Sequence, residues 1–146
     1  MRGKVIEAVQ FETLYPGDQY TGTTDVACYG RTLDSRPYDE VAFRLEVGEC
    51  PANDTLAAAV YENSTQDPDG AVAVTNAAFT TVTSSTDLAG RSGSLVCKNT
   101  KRYLWLRTVM SATGGNPTIG FGASAAFTKA DNEPVSQSAD FDVDNL

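Results

Sequence analysis

Val41-Ala-Phe-Arg-Leu-Glu-Val47 alternates without a break: Val41, Phe43, Leu45 and Val47 fall on one side, Ala42, Arg44 and Glu46 on the other. Successive side chains of extended backbone point to opposite faces, so a period of two marks a half-buried strand. Gly48 and the Pro51-Ala-Asn53-Asp54 cluster end the run, since these residue types favour turns over sheet. The stretch Lys101-Arg-Tyr-Leu-Trp-Leu-Arg-Thr-Val-Met110 is the strongest β segment, rich in aromatic and branched residues. Over 119–127, Ile119, Phe121, Ala123, Ala125 and Phe127 alternate with Gly120, Gly122, Ser124 and Ala126. The small residues on that second face permit close approach by another layer or chain.

The segments between read the same way. Thr55–Tyr61 is alanine-rich, but it is too short and too soon followed by a turn to be a helix, so it is taken as a strand. Asn63-Ser-Thr-Gln-Asp-Pro-Asp-Gly70 is a turn, and 71–83 is a strand with an irregular middle around Asn76. A loop over Asp87–Gly93 leads to a short strand at Ser94–Lys98, and Asn99-Thr100 turns the chain. Gly114-Gly-Asn-Pro117 makes the next turn, and Thr23–Tyr29 is a strand opening the body. About seven short strands with turns every 8–12 residues or so and no intervening helix predict an all-β fold, an antiparallel β-sandwich or jelly roll.

The ends differ from this body, which spans residues 21–128. Residues 1–20 carry an alternation of Val5, Val9 and Phe11 that stops at Tyr15-Pro-Gly-Asp18, and are expected to form an amino-terminal arm. Residues 129–146 set Lys129 against Asp131, Glu133, Asp140, Asp142 and Asp144, a net −4 within a chain total of −8. Such a segment cannot build its own core. The expectation is a solvated acidic tail, or one that docks on a neighbour through Phe141, Val143 and Leu146.

The 146 residues and 15.5 kDa correspond to one ordinary domain, with 41% hydrophobic and 21% charged residues. A net charge of −8 is a poor match for a phosphate backbone, so no direct nucleic-acid partner is expected. No stretch nears the ~20 apolar residues of a membrane helix, so no membrane partner is expected either. The start carries Glu7 and Gln10 where a signal peptide needs apolar residues, which points to synthesis in the cytoplasm without export. Histidine is absent, which removes the commonest general base and zinc ligand together. The three cysteines, Cys28, Cys50 and Cys97, include no C-x-x-C pair and are read as buried reduced thiols.

The motifs that resemble chemical sites have plainer readings. Gly120-Phe-Gly-Ala-Ser-Ala125 fits a dinucleotide loop, yet it lies within a strand pattern rather than before a helix. Gly90-Arg-Ser-Gly-Ser94 misses the nucleophile elbow by one position, leaving only a Ser92 pairing with Lys98 or Lys101 as conceivable chemistry. Asp67-Pro-Asp69-Gly70 and the Asp140, Asp142, Asp144 run lack the frame of a calcium loop. No catalytic residue, metal or cofactor is therefore assigned, and no enzyme is expected. Tyr103, Trp105 and Arg107 would share the outer face of their strand if Leu104, Leu106 and Met110 face the core. Residues of these types are enriched at protein interfaces. Packing of Trp105 between the sheets is the plainer alternative, and a sugar- or nucleic-acid-binding platform a third.

The order of segments resembles the small β-sandwich head decoration (cement) proteins of tailed bacteriophages. Thr21-Gly-Thr-Thr-Asp25 leading to Tyr38–Gly48 carries the first part, and Leu56–Tyr61 with the turn ending at Asp69-Gly70 the second. Lys101–Arg107 followed by the glycine-rich turn and the strand to Phe127 carries the third. Ala71-Val-Ala-Val74 stands where that family has an aromatic strand. The resemblance implies a virion protein on the capsid exterior, bound to the major capsid protein as a dimer or trimer and bridging capsomers. The alternatives are another phage structural part (tail, neck or head fibre) and a carbohydrate- or receptor-binding module.

Overall fold

The computed structural model describes residues 10–36, 38–84, 90–98 and 101–130. In chain order the elements are β1 (Gln10–Thr21), β2 (Val26–Tyr29), β3 (Leu33–Asp34), β4 (Tyr38–Val47), β5 (Asp54–Asn63), a 3-10 turn (Pro68–Gly70), β6 (Val72–Ala78), β7 (Val82–Thr83), β8 (Ser92–Lys98), β9 (Tyr103–Ala112) and β10 (Thr118–Ala130). All pairings are antiparallel. The first sheet has the order β1-β10-β4-β8, and the second β2-β9-β5-β6, with β3 also on β9 and β7 also on β5.

Counting β2 with β3 and β6 with β7 leaves eight strands, and their partners follow one rule. The first pairs with the eighth, the second with the seventh, the third with the sixth and the fourth with the fifth. That is one long antiparallel ribbon rolled on itself, a jelly-roll β-sandwich. The expected fold class holds.

Alternation decides what the roll encloses. Val41, Phe43, Leu45 and Val47 are all buried, as are Leu56, Ala58 and Val60 of β5 and Leu104, Leu106 and Met110 of β9. Ile119, Phe121, Ala123, Ala125 and Phe127 form the facing row on β10. The irregular middle at Asn76 is real: its φ is 59°, and the β5–β6 register shifts there. The Asp67–Gly70 stretch is a capped turn, in which the Asp67 carboxylate accepts the Asp69 N–H at 3.0 Å.

Several boundaries differ from the sequence reading. The strand expected over Thr23–Tyr29 begins at Val26, because Asp25 takes a left-handed φ of 62° and breaks the extension. The loop expected over Asp87–Gly93 gives way two residues early. Ser92 and Gly93 pair with Glu46 and Leu45, following the turn at Gly90 (φ 76°). The alternation stops at Tyr15–Asp18, where four successive residues from Pro16 are exposed, but the strand does not, and residues 10–20 are not a free arm. β1 runs on through them as an edge strand of the first sheet, with two register shifts against β10, one at Leu14 and one that absorbs Pro16 and Gly17. An edge strand tolerates this because its outward N–H groups have no ladder to complete. β10 likewise takes Lys129 and Ala130 from the expected tail, with Ala130 opposite Tyr38. Val5 and Val9 lie outside the described residues, as do Phe141, Val143 and Leu146.

Candidate interaction face

β9 is central in the second sheet, and its outer side carries Tyr103, Trp105, Arg107 and Val109 because Leu104, Leu106 and Thr108 point inward. Cross-strand register then recruits residues far away in the sequence. Tyr61 stands opposite Trp105, and Arg107 lies between Tyr29 on β2 and Ala59 on β5. The Arg107 guanidinium sits over the Tyr61 ring at 5.0 Å from its centroid and donates to the Tyr61 hydroxyl at 3.2 Å. Tyr29 meets Tyr61 edge-on, with centroids 6.0 Å apart. A second cation–π contact places Arg102 5.0 Å from the Tyr103 centroid. Arg102 is held there by a fork on Asp34, Nε to Oδ1 at 3.0 Å and Nη2 to Oδ2 at 2.8 Å.

Trp105 is on this face but not exposed on it. The indole is 1% accessible, and its N–H donates to the Thr32 hydroxyl at 2.8 Å. The segment between β2 and β3 folds over it, anchored to β9 by Gly30 N–H on the Leu106 carbonyl and by Leu33 opposite Leu104. Trp105 is therefore neither packed between the sheets nor available to a partner; it is the lining under a loop. The expected trio of Tyr103, Trp105 and Arg107 does share one face. What reaches solvent is a different set: half-buried Tyr29, Tyr61, Tyr103 and Arg107, with exposed Arg102. Tyr29 and Tyr61 escaped the sequence reading because only strand register brings them to Arg107. Beside them Ala57, Ala59 and Ala78 make a low floor. Aromatic rings with arginine above a shallow apolar floor suit the anchoring of another protein.

The Arg102 hydrogen bonds hold the Asp34 carboxyl below its usual range, against a smaller opposing effect of burial. The sign follows from linkage. A lowered folded-state value stabilises above the ordinary carboxylate range, and that contribution is lost as pH falls through the folded value. The pair is largely exposed, so its contribution to stability is small.

A concavity on the first sheet has different chemistry. A shallow cleft of about 560 Å³ lies where β1 bulges over β10, floored by Gly17, Gly48, Gly120 and Gly122 and edged by Glu46 and Arg91. The dinucleotide-like motif is thus a glycine-relieved strand, as the plainer reading expected. A Cβ at Gly122 would lie 3.0 Å from the Gly17 Cα. Ser92 opens β8, with Lys98 at that strand's other end, ~20 Å away at about 3.3 Å per residue. That separation removes the pairing of Ser92 with Lys98. Among the described residues no three His, Cys, Asp or Glu side chains gather as metal ligands.

Buried ionisable groups serve the fold. Glu62 faces inward, and its carboxylate accepts the Lys101 backbone N–H at 3.2 Å, holding the entry to β9. Burial, reinforced by Glu62, pushes the Cys97 thiol up to about 11. Burial also raises Cys50, whose thiol donates to the Asp54 carbonyl. Cys28 is exposed on the edge strand β2, which corrects the expectation of three buried thiols. At pH 8 one thiol per folded chain should react rapidly with a disulfide reagent, and Cys28→Ser should abolish that phase. The other two should react only on unfolding; a fast phase of two or three thiols would contradict the burial of Cys50 and Cys97.

No family model matches the chain, and no curated protein matches it. Solved structures do. The structure of the infectious bursal disease virus Gt strain superposes with a TM-score of 0.58 at 16% identity, over 86% of this chain and 33% of that one. The VP2 subviral particle of the same virus gives 0.57 at 18% identity, over 86% and 34%. The T=1 particles derived from that virus give 0.59 at 17% identity, over 84% and 31%. The chain spans about a third of the length of those it matches. At such identities the likeness is one of fold alone: the chain shares a jelly-roll β-sandwich with these structures.

Proposed function

We propose that the protein is a structural component of a virion, a decoration (cement) protein on the head of a tailed phage. It binds the outer surface of the major capsid lattice and bridges capsomers. The observation that carries the reading is the rolled eight-strand ribbon, the fold found in the virus-particle structures above, joined to a solvent-facing cluster of tyrosines and arginine. A bridging protein needs a rigid body and adhesive surfaces, and repetition over a lattice turns modest contacts into high avidity. In this reading Tyr61 and Arg107 contact the capsid. Residues 1–9, with Val5 and Val9, and residues 131–146, with Phe141, Val143 and Leu146, add segments to neighbouring subunits.

The test is binding of the purified chain to undecorated heads. Saturable binding that raises the disruption temperature of the heads is expected, with Tyr61→Ala or Arg107→Ala weakening it about tenfold or more. Deleting 1–9 and 131–146 separately asks which terminus takes part. Absence of binding to heads rejects the proposal. The sugar-binding reading needed Tyr103 and Trp105 exposed side by side, and the cover over Trp105 removes that platform.

A further inference from the structure

A jelly roll leaves four edges, one on each outer strand of its two sheets, and three of them are irregular. β1 is interrupted by two register shifts and Pro16, β2 has only four residues, and β6 is broken by the left-handed Asn76. β8 differs. Its seven residues, Ser92-Gly-Ser-Leu-Val-Cys-Lys98, pair with β4 in unbroken register and contain no proline. Natural sheets usually blunt such an edge, because a straight row of unpaired N–H and C=O groups invites another strand.

The backbone hydrogen bonds show which groups have no strand partner among the described residues. Val47 N–H donates to the Arg91 carbonyl at 2.9 Å, in the same register as the β4–β8 ladder. Bonded pairs alternate along an antiparallel ladder. Gly93, Leu95 and Cys97 therefore spend their backbone groups on β4, while Ser92, Ser94, Val96 and Lys98 turn theirs outward. Val96 is 65% accessible, the most exposed of the large hydrophobic residues described, and Leu95 is half-buried at the rim of the core.

The geometry points to a second copy of this chain as the occupant, pairing β8 with β8 about a two-fold axis at Leu95. In that register Ser92 meets Lys98 of the partner subunit, Ser94 meets the partner's Val96, and Leu95 meets its own counterpart. The two Lys98 side chains lie at opposite ends, so no like charges oppose. About eight inter-chain hydrogen bonds form, and the first sheets of both copies become one. β1 starts at Gln10, in the row of Phe127, Val41 and Cys97, and runs parallel to β4. β1 thus lies at the edge of the first sheet opposite β8.

This inference does not rest on the virion reading and can fail without it. Sedimentation velocity on the full chain over a concentration series should show the 15.5 kDa monomer doubling its mass. Val96→Pro removes one outward N–H and no bond to β4. It should give a monomer whose unfolding midpoint equals that of the wild type at concentrations low enough for the wild type to be monomeric. Val96→Lys, which leaves the backbone intact, should do the same and serves if the proline variant does not fold. Hydrogen exchange should slow at the Ser94 and Val96 amides only in the dimer. A wild-type chain that stays monomeric, or a dimer that survives the lysine variant, overturns the proposal. So does a monomer that dimerises only after deletion of residues 131–146, which would make the chain's own tail the strand on β8.

Discussion

Trp105→Ala should lower the free energy of unfolding by about 3–5 kcal/mol, the range for truncating a large buried aromatic residue. The indole is 1% accessible, and the Thr32 hydroxyl, its hydrogen-bond partner, would be left to find another. The cover is a short segment anchored at Gly30 and Leu33, so it cannot collapse far into the gap. Trp105→Phe separates the contributions: it keeps most of the packing and should cost about 1 kcal/mol for the lost hydrogen bond, plus a small volume term. Urea unfolding followed by far-ultraviolet circular dichroism measures both, since the chain has one tryptophan and its fluorescence disappears with it. An alanine variant within 1 kcal/mol or so of wild type would mean that the indole is not sealed.

Gly122→Val should destabilise by about 3 kcal/mol, at the upper end of what overpacking costs. A Cβ at this position meets the Gly17 Cα at 3.0 Å, the Gly17 N at 3.2 Å and the Tyr15 carbonyl oxygen at 3.4 Å. All three are backbone atoms, which cannot swing aside as the end of a side chain can. Relief requires moving β1 as it crosses β10, and that movement would carry Tyr15 with it. Tyr15 links the sheets: its ring packs on Phe121 at 5.3 Å, and its hydroxyl lies 3.2 Å from the Thr108 hydroxyl on β9. Gly114→Val makes a useful comparison, because there a Cβ meets nothing within 4 Å and the strain comes from a φ of 86° alone. Denaturant midpoints of the two variants measure the difference. A Gly122→Val midpoint equal to wild type would show that β1 is not held against β10 there.

The fold was legible where one face of a strand is wet and the other dry. Val41–Val47 and Ile119–Phe127 announce themselves because alternation is local, two residues at a time, and the structure buries every residue those patterns assigned to the core. The turn at Asp67–Gly70 and the fault at Asn76 were legible for a similar reason, since turn chemistry acts over a few neighbouring residues. Tyr15-Pro-Gly-Asp18 misled for the converse reason. Its residue types end a strand in isolation, yet a sheet edge with glycine opposite absorbs them as a bulge.

The candidate face was half legible. Tyr103, Trp105 and Arg107 share a side of β9 by parity alone, but parity does not say what lies above them. Thr32 is far from Trp105 in the chain, and only the paths of β2 and β3 along β9 bring it over the indole. Tyr29 and Tyr61 join Arg107 through register between strands separated by tens of residues. The amino-acid order by itself determined the fold class and the core rows of Val41–Val47 and Ile119–Phe127, because strand alternation and turn preference are short-range. Which side of β9 faces inward, which aromatic rings are covered and which arginine meets which tyrosine were decided by the tertiary structure, because long-range pairing sets them and a shift of one residue in register would exchange every partner.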